Sequence, residues 1–460
     1  MIDGQHLVDV VQRATRPLYR GRISRISGIL AEADQLPSAI GEVCRIGGPD
    51  GMTAETVGFR DGRALLMPHG DLSGVAPGTP VTALGHQFEI GVGTGLLGRV
   101  VDGFGRPLDE RPLPALAAKR SIRAAAPLPL ERPPIDEPLQ TGVRVIDGLL
   151  TIGRGQRLGI FAGSGVGKST LLGQITSGTD ADVVVIGLVG ERGREVRAFI
   201  DDVLDAERRE RAVTVVATSD RPPIERFYAP FTAVTVAEYF RDQGLDVLLV
   251  MDSVTRFAAA TREIGLAAGE PPTLRGYPPS FFATTPQLVE RLGRTRQGSI
   301  TGLFTVLLDG DDINDPVGDT LRGLLDGHLV LSRDLAHKNH FPAVDVLGSI
   351  SRLMPELATR EHQELAGKLR ADLATFQESR DLVEIGAYKA GANPRLDRAL
   401  ARRDMVELFL KQGRHEHTSL ADTQALLAAL LADPKPVAAQ GAAPTAQARP
   451  AAPKPQTRKA

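Results

Sequence analysis

The chain has 460 residues, 42% hydrophobic and 24% charged, so it can bury cores for roughly three domains of about 150 residues each. A formal charge of −2 argues against a surface built throughout to hold nucleic acid, and 15 Phe, 5 Tyr and no Trp leave few platforms for stacking single strands. The single cysteine, Cys44, excludes an internal disulfide and a cysteine-rich metal site.

The opening Met1-Ile-Asp-Gly-Gln-His6 lacks the basic-then-apolar order of a signal peptide, and cytosolic residence is expected. Leu7, Val8, Val10 and Val11 predict a short helix over 1–20, ended by a turn near Pro17. From Gly21 the texture changes to short alternating segments such as Ala64-Leu-Leu-Met67, with turn signals at Gly47-Gly-Pro-Asp-Gly51 and Pro77-Gly78. That spacing predicts a small β-barrel or sandwich over 21–105. Residues 106–140 carry Pro127, Pro129, Pro133, Pro134 and Pro138 and read as an ordered linker with little helix.

Between 141 and 354 apolar runs alternate with helical segments: Leu158–Phe161, Val183–Val189, Val213–Thr218, Val247–Met251 and Ile300–Leu308. Continuous apolar strands of this kind imply a parallel sheet covered on both faces, an α/β domain. None approaches the ~20 residues needed to span a bilayer. Residues 355–432 read as helices, for example Glu361–Glu378 and Asp397–Lys411. The last stretch, 433–460, holds six prolines and nine alanines with almost nothing large and apolar. A disordered, mildly basic tail is predicted there.

The strongest chemical signal follows the strand Leu158-Gly-Ile-Phe161. Ala162, Gly163, Ser164, Gly165, Val166, Gly167, Lys168, Ser169 and Thr170 form a P-loop with Ala in the first glycine position. Its glycines let backbone N–H groups curl around phosphates. Lys168 is placed to reach the β- and γ-phosphates and Ser169 to ligate Mg²⁺, at the positive end of the next helix. A second metal anchor is expected from a neighbouring strand, and Asp252 ends the apolar run Val247–Met251. Hydrolysis also needs a group to orient or deprotonate water. Gly190-Glu-Arg-Gly-Arg-Glu195 follows Val183–Val189, at the carboxyl edge where open α/β sheets place their ligands. Glu191 is the better candidate, being closest to that strand end, while Glu195 lies further along; a charged helix start gives the same letters.

These segments together carry a resemblance. Gly190–Val196, Met251-Asp-Ser-Val-Thr-Arg-Phe257, Gly269-Glu-Pro-Pro272, Arg275-Gly-Tyr-Pro-Pro-Ser280, Asp326–Arg333 and Ser349-Ile-Ser-Arg-Leu-Met354 resemble the type III secretion ATPases, relatives of the catalytic β subunit of rotary ATP synthases. Asp309–Pro316, Asp381–Lys389 and Phe409-Leu-Lys-Gln412 resemble the flagellar protein-export branch more than the injectisome branch, which stands as the alternative. The resemblance covers about residues 20–432. It implies a P-loop (RecA-like) core with an N-terminal β-barrel and a C-terminal helical domain, hydrolysing Mg-ATP in a homo-hexamer. It also implies a cytoplasmic protein attached peripherally to the export apparatus at the inner membrane.

Carried over residue by residue, the resemblance gives Lys168 and Ser169 to phosphate and Mg²⁺, Glu191 to the attacking water and Asp252 to the metal. Arg192 and Arg256 match arginines near the γ-phosphate. Arg352 matches an arginine finger that completes a neighbouring subunit's site, and Phe341 the aromatic ring that stacks on adenine, where many members carry Tyr. The expected partners are export substrates and chaperones, the export gate at the membrane and a stator-like regulator bound by the first 20 residues. Those residues are as well read as a plain cap on the barrel. Two rival readings remain: a ring-shaped nucleic-acid motor and a rotary synthase subunit. The first wants basic runs and aromatic platforms in the N-terminal domain, which offers chiefly Phe59 and Phe88. No nucleic-acid partner is expected.

Overall fold

The computed structural model describes residues 19–203, 206–308 and 315–432. The first 18 residues of the expected N-terminal helix, the tail at 433–460 and residues 309–314 of Asp309–Pro316 lie outside that set.

Six short strands, β1 (Arg20–Ser27), β2 (Leu30–Asp34), β3 (Glu42–Ile46), β4 (Met52–Arg60), β5 (Arg63–Pro68) and β6 (Pro80–Gln87), close an antiparallel barrel in the order β1-β2-β5-β4-β3-β6. The β4–β5 hairpin turns on Asp61-Gly62, both at positive φ, as a two-residue loop matched to strand twist requires. Alanines 31, 33, 54, 64 and 83 fill an interior too narrow for six rows of large side chains. Leu30 and Met67 belong instead to the core of the central domain. The junction is aromatic. His69, just after β5, stacks on Phe104 at 4.8 Å between centroids and meets Phe88 and Tyr228 edge-on at 5.3 and 5.6 Å. Burial pushes the His69 imidazole down to about 3, so it sits there neutral.

The central sheet contains β7 (Arg99–Asp102), β8 (Arg157–Ala162), β9 (Val183–Val189), β10 (Ala212–Ala217), β11 (Asp246–Asp252), β12 (Ser299–Leu307), β13 (Gly327–Leu331) and β14 (Val344–Ser351), in the order β14-β13-β8-β12-β11-β9-β10-β7. Neighbours run parallel except β13 and β14. Helices α1 (Lys168–Gly178), α2 (Gly193–Val203), α3 (Pro223–Arg241), α4 (Val254–Ala268) and α5 (Pro316–Leu324) connect these strands. β9 is buried at every position, which explains its unbroken Val-Val-Val-Ile-Gly-Leu-Val sequence.

The barrel boundary differs from expectation. The barrel ends at Gln87, not near 105, because Arg99–Asp102 pairs in parallel with Val213–Val216 as an edge strand of the central sheet. The linker is strapped down: Ala118–Ser121 pairs with Glu89–Val92, and Arg132 donates to the Leu292 carbonyl at 2.8 Å. Behind it Arg291, 1% exposed, donates to Glu238 at 2.8 Å and to Thr235 at 2.9 Å, a buried charge held by a carboxylate on α3.

Where β7 meets α3, two more carboxylates are buried, Asp102 and Glu225. Burial, then the charge of Asp102, pushes Glu225 up to about 7, with Arg221 and Arg106 pulling the other way. Asp102 is also raised, mainly by burial. The folded state therefore binds more protons here than the unfolded chain. Its stability contribution is complete below the ordinary Glu value and is lost as pH rises through about 7. We expect Glu225→Gln to unfold a few degrees above wild type at pH 8 and level with it at pH 4.5. Thermal melts at the two pH values check this; an equal gap at both would contradict it.

Helices α6 (Arg360–Glu384), α7 (Pro394–Leu410) and α8 (Leu420–Leu431) form the C-terminal layer, with Thr359, Asn393 and Ser419 capping their N-termini. α6 outruns the expected Glu378 by almost two turns and stops before Gly386, which takes a φ of 69°. Buried Arg144 ties this layer to the central domain through the Phe409 carbonyl at 3.1 Å and an ion pair with Glu416. Among the described residues no helix is long and apolar enough to cross a membrane.

Candidate functional site

β8 delivers the chain to Ala162, and α1 begins at Lys168. Gly167 turns the corner at φ 91°, a conformation that favours glycine, and a Cβ there would crowd the Phe341 ring at 3.1 Å. The turn aims the amino end of α1 and the Lys168 ammonium at the carboxyl edge of the sheet. In the order β8-β12-β11-β9, the strand between Lys168 and Asp252 is β12. Its Thr305 donates to Asp252 Oδ1 at 2.7 Å, and Lys168 Nζ forms an ion pair with the same carboxylate. Glu191 Oε1 lies 3.7 Å from Lys168 Nζ.

Three charged groups that are far apart in sequence thus converge on one point. The Glu191 carboxyl is pushed above its ordinary value, first by burial and then by Asp252, with Lys168 opposing. Its backbone is fixed as well: the Ser219 N–H donates to the Glu191 carbonyl at 3.1 Å, and the Gly190 N–H to that of Ala217. Gly190 takes φ 69°, and a Cβ on it would meet the Arg256 stem at 2.6 Å. Arg256 therefore lies across the Glu191 loop, and its charge bears on that carboxyl. Glu195 lies on the outer side of Glu191, where its carboxyl also helps to raise that of Glu191, and it pairs at 3.6 Å with Arg192, whose side chain is 72% exposed. Of the two glutamates weighed in the sequence, Glu191 is the one beside Lys168.

Phe341 borders a cleft of about 530 Å³ together with Gly167, Gln174, Gln412 and Glu416. The cleft joins two domains: the Gln412 N–H donates to the Phe341 carbonyl at 2.9 Å, and Gln174 to that of Gly413 at 2.9 Å. A positive phosphate seat, a flat aromatic wall and two carboxylates are the parts of a nucleotide-binding site.

Arg352 is not among them. β13 runs parallel to β8, with Leu331 opposite Ala162, while β14 runs back so that Ser351 lies opposite Gly327. Arg352 therefore projects from the amino edge, roughly 15 Å of strand away from the P-loop of its own chain. There Arg352 Nη2 donates to the Arg322 carbonyl at 3.1 Å. Sequence reading passed over Thr305, although one hydroxyl inside Gly302-Leu-Phe-Thr-Val-Leu307 was a visible signal.

The fold and this cleft define a P-loop protein of the ATP synthase type. The ATP synthase alpha/beta family model for the nucleotide-binding domain matches residues 142–351, and its beta-barrel model matches 23–85. The T3SS EscN ATPase C-terminal domain matches 358–429. The flagellum-specific ATP synthase of Bacillus subtilis (strain 168) is 50% identical over 430 residues, 93% of this chain and 98% of that one. The type 3 secretion system ATPase of Xanthomonas euvesicatoria is 48% identical, covering 90% and 94%. A solved structure of assembled EscN from enteropathogenic E. coli, in complex with its central stalk EscO, superposes with a TM-score of 0.84 at 45% identity, covering 89% of this chain and 99% of that one. The chain belongs to the family of flagellum-specific ATP synthases and type III secretion system ATPases.

Proposed function

We propose that this chain is the ATPase of the flagellar type III protein export apparatus. It hydrolyses Mg-ATP in a homo-hexameric ring and supports unfolding and export of flagellar subunits. The observation that carries this reading is the Lys168–Asp252–Glu191 cluster, set in a chain that matches a flagellum-specific relative over 93% of its length.

The residues fit a magnesium ion carried by the nucleotide. Ser169, the residue after Lys168, and Asp252, its ion-pair partner, offer hard oxygen donors. Among the described residues no group of three or more His, Cys, Asp or Glu could hold a metal alone, which suits an ion bound mostly by phosphate and water. When bound, it offsets charge on the β- and γ-phosphates. Lys168 does the same from the P-loop. Glu191 orients the attacking water and accepts its proton, held in place by its backbone bond to Ser219. Arg192 and Arg256 guard the γ-phosphate side of the cleft. Arg352, facing away from its own P-loop, serves the site of the adjacent subunit and stabilises transition-state charge there.

Adenine stacks on Phe341. Phe341→Tyr keeps the ring and should bind nucleotide within about threefold of wild type. Phe341→Ala should weaken binding roughly 10- to 100-fold, in line with about 1–3 kcal/mol for a stacked base. Fluorescent-nucleotide titration checks the pair; equal affinities for wild type and Phe341→Ala would remove Phe341 from the base site.

The ring meets a stator-like regulator through its first 20 residues, export substrates and chaperones through its helical layer, and the export gate at the membrane. Deleting the gene tests the assignment. Loss of flagella and of flagellar-subunit secretion, restored by wild type but not by Lys168→Ala, is the expected result. Intact flagella with loss of effector secretion would move the protein to the injectisome branch.

A further inference from the structure

Gln156 lies directly before β8, fully buried. Its amide oxygen accepts the Gly153 N–H at 2.9 Å. Its amide nitrogen donates to the Asp326 carbonyl at 3.1 Å and to Ser351 Oγ at 3.1 Å. Both partners lie next to Arg352: the Asp326 carbonyl also accepts the Arg352 backbone N–H at 3.0 Å, and Ser351 is the preceding residue. Ser351 Oγ in turn donates a hydrogen bond to the Thr151 carbonyl at 2.7 Å. The Asp326 side chain is held in turn by Arg157, through its N–H at 3.0 Å and Nε at 3.1 Å.

We infer that Gln156 is a positioning residue for Arg352, an inference that rests on Arg352 acting across the subunit interface. The Arg352 guanidinium is exposed, and the side-chain bond described for it is to one carbonyl of its own chain. The backbone beneath it therefore sets the direction in which the guanidinium is presented. That backbone is clamped by one primary amide, which alone among side chains of this size supplies two N–H donors and an acceptor without charge. An arginine finger displaced by about 1 Å loses on the order of 10²-fold in rate, so a clamp at its base bears directly on turnover. β8 has the clamp at its first end and the P-loop at its other, which fixes the donor and acceptor edges of each subunit in one rigid element.

Mixed rings separate positioning from general stability. Lys168→Ala subunits lend a finger and Arg352→Ala subunits lend a P-loop, and their mixture gives the reference rate. Gln156→Leu, of similar shape but without hydrogen bonds, should cut that rate at least 10-fold when added to the finger-lending subunit. Added to the P-loop-lending subunit, it should leave the rate within about twofold. In an otherwise wild-type ring Gln156→Leu should lower kcat and spare KM. Equal losses in both positions, or none in either, would overturn the proposal. If Gln156→Leu does not assemble, Ser351→Ala removes the other half of the same clamp and should show the same asymmetry. A reference mixture with no activity in rings shown by native mass to be mixed would refute the trans role of Arg352 and the role of Gln156 with it. Failure confined to the Gln156 arms strikes only the clamp.

Discussion

Subunits carrying Arg352→Ala and subunits carrying Lys168→Ala, each inactive alone, are expected to regain ATP hydrolysis when mixed. The reason is geometric: the two residues stand on opposite edges of one sheet, so a single chain cannot bring them together. In a mixed ring some interfaces pair an intact P-loop with an intact finger. A finger contributes about 10³–10⁵ in rate, so even a few restored interfaces rise well above background. For the same reason, specific activity of the wild-type protein should increase with concentration as subunits assemble. Mixed rings that stay inactive would confine the site to one chain.

Glu191→Gln is expected to bind ATP normally while turnover drops about 10²–10⁴-fold, because the amide keeps shape and hydrogen bonding but accepts no proton. Lys168→Ala should lose binding as well as rate. The pH profile adds an independent check. Burial and Asp252 raise the Glu191 carboxyl, so its ionised, proton-accepting form is lost at a higher pH than for an ordinary glutamate. The acid limb of kcat/KM in wild type should therefore lie above the usual carboxylate range and be absent from the residual activity of Glu191→Gln. Near-wild-type turnover in that variant under saturating Mg-ATP would assign water activation elsewhere.

The P-loop was legible because its glycines, lysine and flanking strand are contiguous. Glu191 and Asp252 were legible because each follows an apolar run that ends at the sheet's carboxyl edge. Their convergence on Lys168 was not, since it depends on strand order, and the register that inserts β12 and Thr305 between them is a tertiary fact. Arg99-Val-Val-Asp102 shows the same limit. Four residues with glycine on either side fit a barrel or an edge strand equally, and pairing with Ala212–Ala217 decides. Buried charges hid for another reason. Arg291 and Glu238 look like surface residues until α3 brings them together, because charge alone carries no sign of burial.

On the proposed role of Arg352, the opposed edges of the central sheet make each subunit directional, with a giving end and a receiving end. Such units join head to tail, so an open arc always has one unused finger and one unfinished site. Only closure removes both, and the last subunit to enter makes two contacts where each earlier one made a single contact. Incomplete arcs should therefore be scarce beside free subunits and closed rings. Each new contact completes one site and closure completes the last, so activity per subunit is highest once there is no longer an end.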